Sequence, residues 1–253
     1  MYVASPFEQQ LFDEGNKIIS GAKEKGLVLR LLGALAIRTH CEKFSYIHEK
    51  AKRVLSDLDM AAYLRQGPEI TRYFKDYGYR SSALSAIPGF KRAVFLGEGE
   101  LHVDIFYEAL EMCHDISFKN RLEVDYPTIP LAELVLEKMQ IVQINEKDLI
   151  DTVMLIRQHE ISDNDNDVIN GQRIATLCSA EWGLWRTLTM NLDKVRHYAE
   201  TLQVLEEEDK KDVIEKVQML LGIIEKQPKS MKWKMRAKVG DSKVWYRSVE
   251  ERA

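Results

Sequence analysis

Cysteine is scarce in this 253-residue chain: Cys41, Cys113 and Cys178 are odd in number and widely spaced. That pattern excludes a disulfide framework and supplies no zinc-ligand spacing, so the three read as small apolar core side chains. Long apolar runs are also missing. The longest, Leu27 to Ile37, is broken by Arg30 and falls well short of the roughly 20 residues a spanning helix needs. The N-terminal residues lack the basic flank and apolar stretch of an export signal, which leads us to expect a soluble, cytoplasmic protein with no membrane partner. Charge of one sign is not in excess either. With a net charge of −4 and a pI near 5.9, contact with a polyanion has to be local rather than global. His40, His114, His159 and His197 are scattered and form no ligand cluster in the sequence, and the chain has no internal repeat.

What is present is enough apolar residue, 45% of the chain, for two modest domains. Residues 7 to 25 carry Phe7, Leu11, Ile18 and Ile19 among charges and predict an amphipathic helix ending at Gly26. Leu27 to Leu32 predicts a short buried strand, and Gly33 a turn into a second helix through His40. Residues 41 to 52 are polar and predict a helix extension or surface insertion. Val54 to Tyr63 reads as a strand. Pro68 and Gly78 bracket a helix, and Arg92 to Leu96 and Leu101 to Tyr107 form a predicted β-hairpin across Gly97-Glu98-Gly99-Glu100. After about residue 128 helical periodicity takes over: Leu131 to Ile144, Lys147 to Gln158, Ile169 to Cys178, Trp182 to Leu205 and Lys211 to Ile224. The expected class is therefore α+β, with a mixed-sheet domain over 1–128 flanked by helices and a mainly helical domain over 129–253.

Chemistry is suggested by three aspartates. Asp57 and Asp59 alternate with Leu58 and Met60, so both carboxylates leave one face of the predicted strand, about 6.6 Å apart at the backbone. Asp104 follows in the strand His102-Val103-Asp104-Ile105-Phe106. Carboxylates are costly to place in a sheet unless a cation neutralises them, and they are the natural ligands of magnesium. Two such ions can neutralise a nucleoside triphosphate and hold an acceptor hydroxyl for in-line attack. Gly33-Ala34, at the start of a helix, offers free N–H groups to phosphate.

These stretches, Leu31-Leu32-Gly33-Ala34-Leu35-Ala36, Ser56-Asp57-Leu58-Asp59-Met60 and His102-Val103-Asp104-Ile105-Phe106, resemble the nucleotidyltransferase superfamily of DNA polymerase β-like fold. The resemblance is to small bacterial members of the aminoglycoside nucleotidyltransferase and AbiEii-type toxin kinds, and it covers about the first half of the chain. It implies that Asp57, Asp59 and Asp104 are catalytic and bind two Mg2+ ions with a bound nucleoside triphosphate, and that Asp104 helps activate the attacking hydroxyl. It also implies nucleotide contacts from Gly33 and Ala34. The family's second motif residue is glycine or serine, so Ala34 is a departure that removes a hydroxyl from the triphosphate site. The segment with Lys138 and Lys147-Asp148-x-x-Asp151 resembles one that meets the triphosphate in AbiEii-like members; read without the resemblance, both lysines are solvated helix residues.

The expected reaction is transfer of a nucleoside monophosphate to an acceptor hydroxyl on a small molecule, an RNA such as tRNA, or a protein, with release of pyrophosphate. The alternatives are a catalytically lapsed nucleotide- or RNA-binding module and a toxin–antitoxin component of the same fold. His102 should share the face of Asp104. Asp163-Asn164-Asp165-Asn166-Asp167 lacks the central glycine and distal glutamate of a calcium loop and reads as a polar connection. Trp182, Trp185, Met190 and Tyr198 fit a helical core stripe or the lining of an acceptor pocket. The basic stretch Lys226 to Lys238, with Trp233, Trp245 and Tyr246, reads as a hairpin turning at Gly240-Asp241-Ser242 with its tryptophans packed, or as an RNA-binding tail.

Overall fold

The computed structural model describes residues 5–82, 91–99 and 101–248; Glu100 of the expected hairpin turn lies outside them. The protein is α+β with a five-stranded mixed sheet. Its chain divides into two compact units, one of Met1–His40, Val54–Leu110 and Ile116–Pro130, the other of Cys41–Arg53, Glu111–Asp115 and Leu131–Ala253.

The first unit opens with helix α1 (Pro6–Glu24), started by a capping box in which Ser5 and Glu8 satisfy each other's backbone N–H groups. Strand β1 (Leu29–Leu32) runs directly into α2 (Gly33–His40). Strand β2 (Leu58–Ala62) comes next, then α4 (Gly67–Asp76), β3 (Arg80–Ser81), β4 (Arg92–Leu96) and β5 (His102–Tyr107); α3 belongs to the second unit. The sheet order is β1-β2-β5-β4-β3. Strands β2 and β5 are parallel, and the β1–β2, β4–β5 and β3–β4 pairs are antiparallel. A short segment at Thr128 pairs with the free edge of β1.

Period-two alternation divides the sheet. Leu29, Leu31, Leu58, Met60, Val103, Ile105, Ala93 and Phe95 are buried on one face, where Phe95 stacks on Phe74 of α4 at 4.3 Å between centroids and Gly15 of α1 is packed against Leu58 and Leu31. The other face carries Asp59, Asp104, His102, Arg92 and Arg30. One face is all core and the other is mixed, with Leu32 and Ala61 buried beside the charged groups, and a one-residue slip would exchange the two faces, which fixes the register. Strand β2 is shorter than the expected Val54 to Tyr63: Val54 is exposed and Asp57 lies one residue ahead of the strand.

The helices of the second unit are α3 (Tyr46–Lys50), α5 (Leu131–Met139), α6 (Glu146–Gln158), α7 (Gly171–Ala180), α8 (Trp182–Thr201), α9 (Glu207–Lys226) and α10 (Met231–Ala237), and a short parallel strand pair, Ile161–Ser162 with Ile169–Asn170, lies between α6 and α7. The polar stretch 41–53 is thus neither an extension of α2 nor a free surface insertion, because α3 packs against α6. The Asp151 carboxylate, fully buried on α6, receives a two-point contact from Arg53 at 3.0 and 3.1 Å and ion pairs from His48 at 3.0 Å and Lys138 at 3.1 Å. Burial alone would raise the Asp151 pKa, but Lys138, His48 and Arg53 together hold it far below the usual carboxylate range. Burial likewise disfavours the Lys138 ammonium, yet Asp151, Glu137 and Asp148 keep it charged.

The C-terminal stretch is not a hairpin. It folds as α10, capped by Ser230, with a short 3-10 turn at Gly240–Ser242. Its rings do pack: Trp233 lies edge-on to Trp185 and Trp245 to Trp182, and Trp245 Nε1 donates to Thr187 Oγ1 at 3.0 Å. His114, hydrogen-bonded to the same hydroxyl at 2.8 Å, is pushed down to a pKa of about 4 by burial. Among the described residues no helix is long and apolar enough to cross a membrane.

Two outcomes follow from these buried groups. Asp151→Asn leaves Lys138 and Arg53 undercompensated and should cost about 3–5 kcal/mol, read as a lower urea midpoint at unchanged m-value. Because His114 is neutral in the fold and titrates near 6.5 when unfolded, the unfolded chain binds more protons between pH 6.5 and about 4. Stability present above pH 6.5 is therefore lost as the pH falls through that window, and thermal melts of His114→Gln should lose this part of the pH dependence.

Candidate metal centre

The site grows from the register of two parallel strands. Asp59 of β2 and Asp104 of β5 are direct partners, so their side chains leave the same face from backbones about 4.8 Å apart. Asp59 is half-buried and Asp104 is buried. Two residues upstream on each line stand Asp57 and His102, whose Oδ1 and Nε2 are 3.7 Å apart. Asp57 therefore shares this face although it precedes the strand. It is exposed and accepts a hydrogen bond from Ser56 Oγ at 2.8 Å.

Gly33 lies beneath Asp59. Strand β1 pairs with β2 so that Leu32 is opposite Asp59, and the next residue turns into α2 with φ +75°. A Cβ built on Gly33 would stand 3.0 Å from Asp59 Oδ2. Both the left-handed backbone and the close approach require glycine. The strand–glycine–helix order thus brings the backbone at the start of α2 against one of the carboxylates. Ala34 follows as the second helical residue.

Asp104 has a partner that the aspartate pattern did not announce. Arg92 of β4 donates through Nη2 to Asp104 Oδ2 at 2.5 Å, and its guanidinium lies 5.3 Å from the Phe106 ring centroid. The signal was in the hairpin: pairing Val94 with Asp104 puts Arg92, two residues away, on the aspartate face. The contact is a single bond. Asp104 Oδ1 and Arg92 Nε are both buried without a hydrogen-bond partner among the described residues.

Chemically, the face presents three carboxylates, the guanidinium of Arg92 in contact with Asp104, the imidazole of His102 beside Asp57, and Arg30 on β1. Oxygen donors of this kind suit a hard divalent cation, and the orphaned Asp104 Oδ1 is the acceptor such an ion would satisfy. By donor type these residues suit magnesium, although the oxygens of Asp57, Asp59 and Asp104 do not gather within 4.8 Å of one another, so an ion would have to draw them together. Lys138 and Lys147, the other expected nucleotide contacts, belong to the second unit. There Lys138 is buried, not solvated, and bound to Asp148 and Asp151, whereas Lys147 is exposed.

Gly33→Ala should destabilise the first unit by about 1–2 kcal/mol, the cost of a left-handed non-glycine residue, and push Asp59 aside. Urea denaturation measures the first effect and loss of Mn2+ affinity the second.

Comparison of the chain with models of protein families, with curated proteins and with solved structures returned no match.

Proposed function

We propose that this protein is a metal-dependent nucleotidyltransferase, on a fold of the DNA polymerase β-like kind, which transfers a nucleoside monophosphate from a nucleoside triphosphate to an acceptor hydroxyl. The observation that carries the reading is the in-register pair Asp59 and Asp104 with the Gly33 backbone packed against Asp59. Like charges at directly opposed strand positions repel, and a cation joining them would relieve that repulsion.

Asp59 and Asp104 would hold the ions, with Asp57 completing the oxygen set. Magnesium, when bound, supplies the positive charge that neutralises the triphosphate and eases deprotonation of the attacking hydroxyl. The N–H groups at the start of α2 are the backbone donors a phosphate would meet there, Gly33 having no side chain and Ala34 only a methyl. The acceptor oxygen attacks the α-phosphorus, the bond to the β-phosphate breaks, and pyrophosphate leaves with the electron pair. The hydroxyl proton passes toward Asp104. His102, beside Asp57, is placed to hydrogen-bond the acceptor.

Pyrophosphate release from each nucleoside triphosphate, assayed with a panel of hydroxyl acceptors including tRNA, tests the proposal. Asp59→Asn and Asp104→Asn should each slow release by about a thousandfold, which corresponds to about 4 kcal/mol of transition-state stabilisation. Their circular dichroism should be unchanged. Undiminished release in Asp59→Asn sinks the assignment. Magnesium-dependent triphosphate binding with no turnover on any acceptor would instead identify a lapsed, nucleotide-binding form, consistent with the missing hydroxyl at Ala34.

A further inference from the structure

Arg92 meets the site in an incomplete way. A guanidinium and a carboxylate that serve only to neutralise each other normally form two parallel hydrogen bonds. Here one bond forms, from Nη2 to Oδ2 at 2.5 Å, while Asp104 Oδ1 and Arg92 Nε stay buried and unpartnered. The carboxylate is almost enclosed, at 12% side-chain exposure, whereas the arginine is more open, at 30%. Asp104 is fixed in the middle of β5, hydrogen-bonded on both sides by β2 and β4. The arginine, on a long stem over the Phe106 ring, is the partner able to move.

We infer that Arg92 is an exchangeable counter-ion: it neutralises Asp104 in the metal-free protein, leaves when a divalent cation takes the carboxylate, and then binds the phosphates of the incoming triphosphate. The inference rests on the proposed nucleotidyltransferase reading. Arginine cannot lose its proton in a protein, so it can vacate Asp104 only by swinging away. Once cations occupy the carboxylates, the guanidinium is repelled by them, and the nearest favourable environment is a polyanion. A triphosphate offers pairs of phosphate oxygens that the guanidinium fork can bind through two hydrogen bonds.

The consequence is a coupling between ligands. Without nucleotide, a metal ion must displace Arg92 with no new partner to receive it, and it binds weakly. With nucleotide, the displaced arginine is satisfied, so each ligand strengthens the other by the same factor.

Mn2+ binding followed by electron paramagnetic resonance, with and without a non-hydrolysable nucleoside triphosphate, reads this directly and needs no turnover. Arg92→Gln should bind Mn2+ about tenfold more tightly than the parent in the absence of nucleotide. In the presence of Mn2+ it should bind the triphosphate about tenfold more weakly, and the mutual enhancement should largely disappear. Arg92→Lys, which keeps the charge without the planar fork, should fall between the two, and it carries the comparison if Arg92→Gln fails to fold. Asp59→Asn in each background identifies the Mn2+ signal as that of this site. Asp59-dependent Mn2+ binding that is equally tight in the parent and in the Arg92 variants overturns the counter-ion role and leaves the proposed reaction standing. Absence of any Asp59-dependent Mn2+ binding, with or without nucleotide, overturns the proposed reaction itself.

Discussion

Two carboxylates held side by side by the register of parallel strands are the constraint on which the first unit's reading depends. A hydrogen-bonded ladder leaves Asp59 and Asp104 no freedom to separate at the backbone, and the apolar residues that alternate with them, Leu58, Met60, Val103 and Ile105, are locked into the core. Turning either aspartate away would turn those side chains out of the core. The repulsion is therefore built in, sustained by hydrophobic burial on the opposite face of the same strands. Gly33 adds to the confinement by filling the space beside Asp59 with backbone.

The second unit shows the opposite solution to the same electrostatic problem. Asp151 is more deeply buried than either aspartate of the sheet, yet it is met by Arg53, His48 and Lys138, and Lys138 is itself shared with Asp148. That cluster is neutralised from within and has no use for an added cation. It fastens the 41–53 stretch to α6, and its buried ions are costly to break one at a time. On the sheet, Asp104 meets Arg92 through a single contact that leaves Oδ1 unpartnered among the described residues, and Asp57 is exposed beside His102. The contrast is between a carboxylate satisfied on every side and one satisfied on one oxygen only.

Much of this was legible in the sequence because it is local. The apolar spacing of Leu11, Ile18 and Ile19, the run Leu29–Leu32 ending at Gly33, and the two halves of the hairpin around Gly97 each reflect a period of 3.6 or 2 that needs no partner to be recognised. Sharing of one face by Asp57 and Asp59, and by His102 and Asp104, followed from alternation alone, whereas the register of β2 on β5 is what puts the two pairs on the same face. What escaped was non-local. The pairing of Arg53 and His48 with a carboxylate about a hundred positions away leaves no periodic trace, so stretch 41–53 looked like an insertion and Lys138 like a solvated side chain. At the C-terminus, Gly240-Asp241-Ser242 has turn composition, but the residues before it are held as a helix by the Ser230 cap and by packing of Trp233 on Trp185.

The departure at Ala34 and the arginine on β4 bear on one another. On the proposed reading, a hydroxyl at position 34 would give the triphosphate one directed hydrogen bond beyond those of the backbone; a methyl gives none. The phosphate charge must then be met by the N–H groups at the start of α2, by metal ions on the aspartates, and by a side-chain cation on the same face. Among the described residues of the sheet's polar face, Arg92 stands closest to the carboxylates, in contact with Asp104 itself. On that reading, a site with a methyl in place of the hydroxyl and with Arg92 beside Asp104 would rely more on charge than on directed hydrogen bonding, and its triphosphate affinity would fall with rising ionic strength.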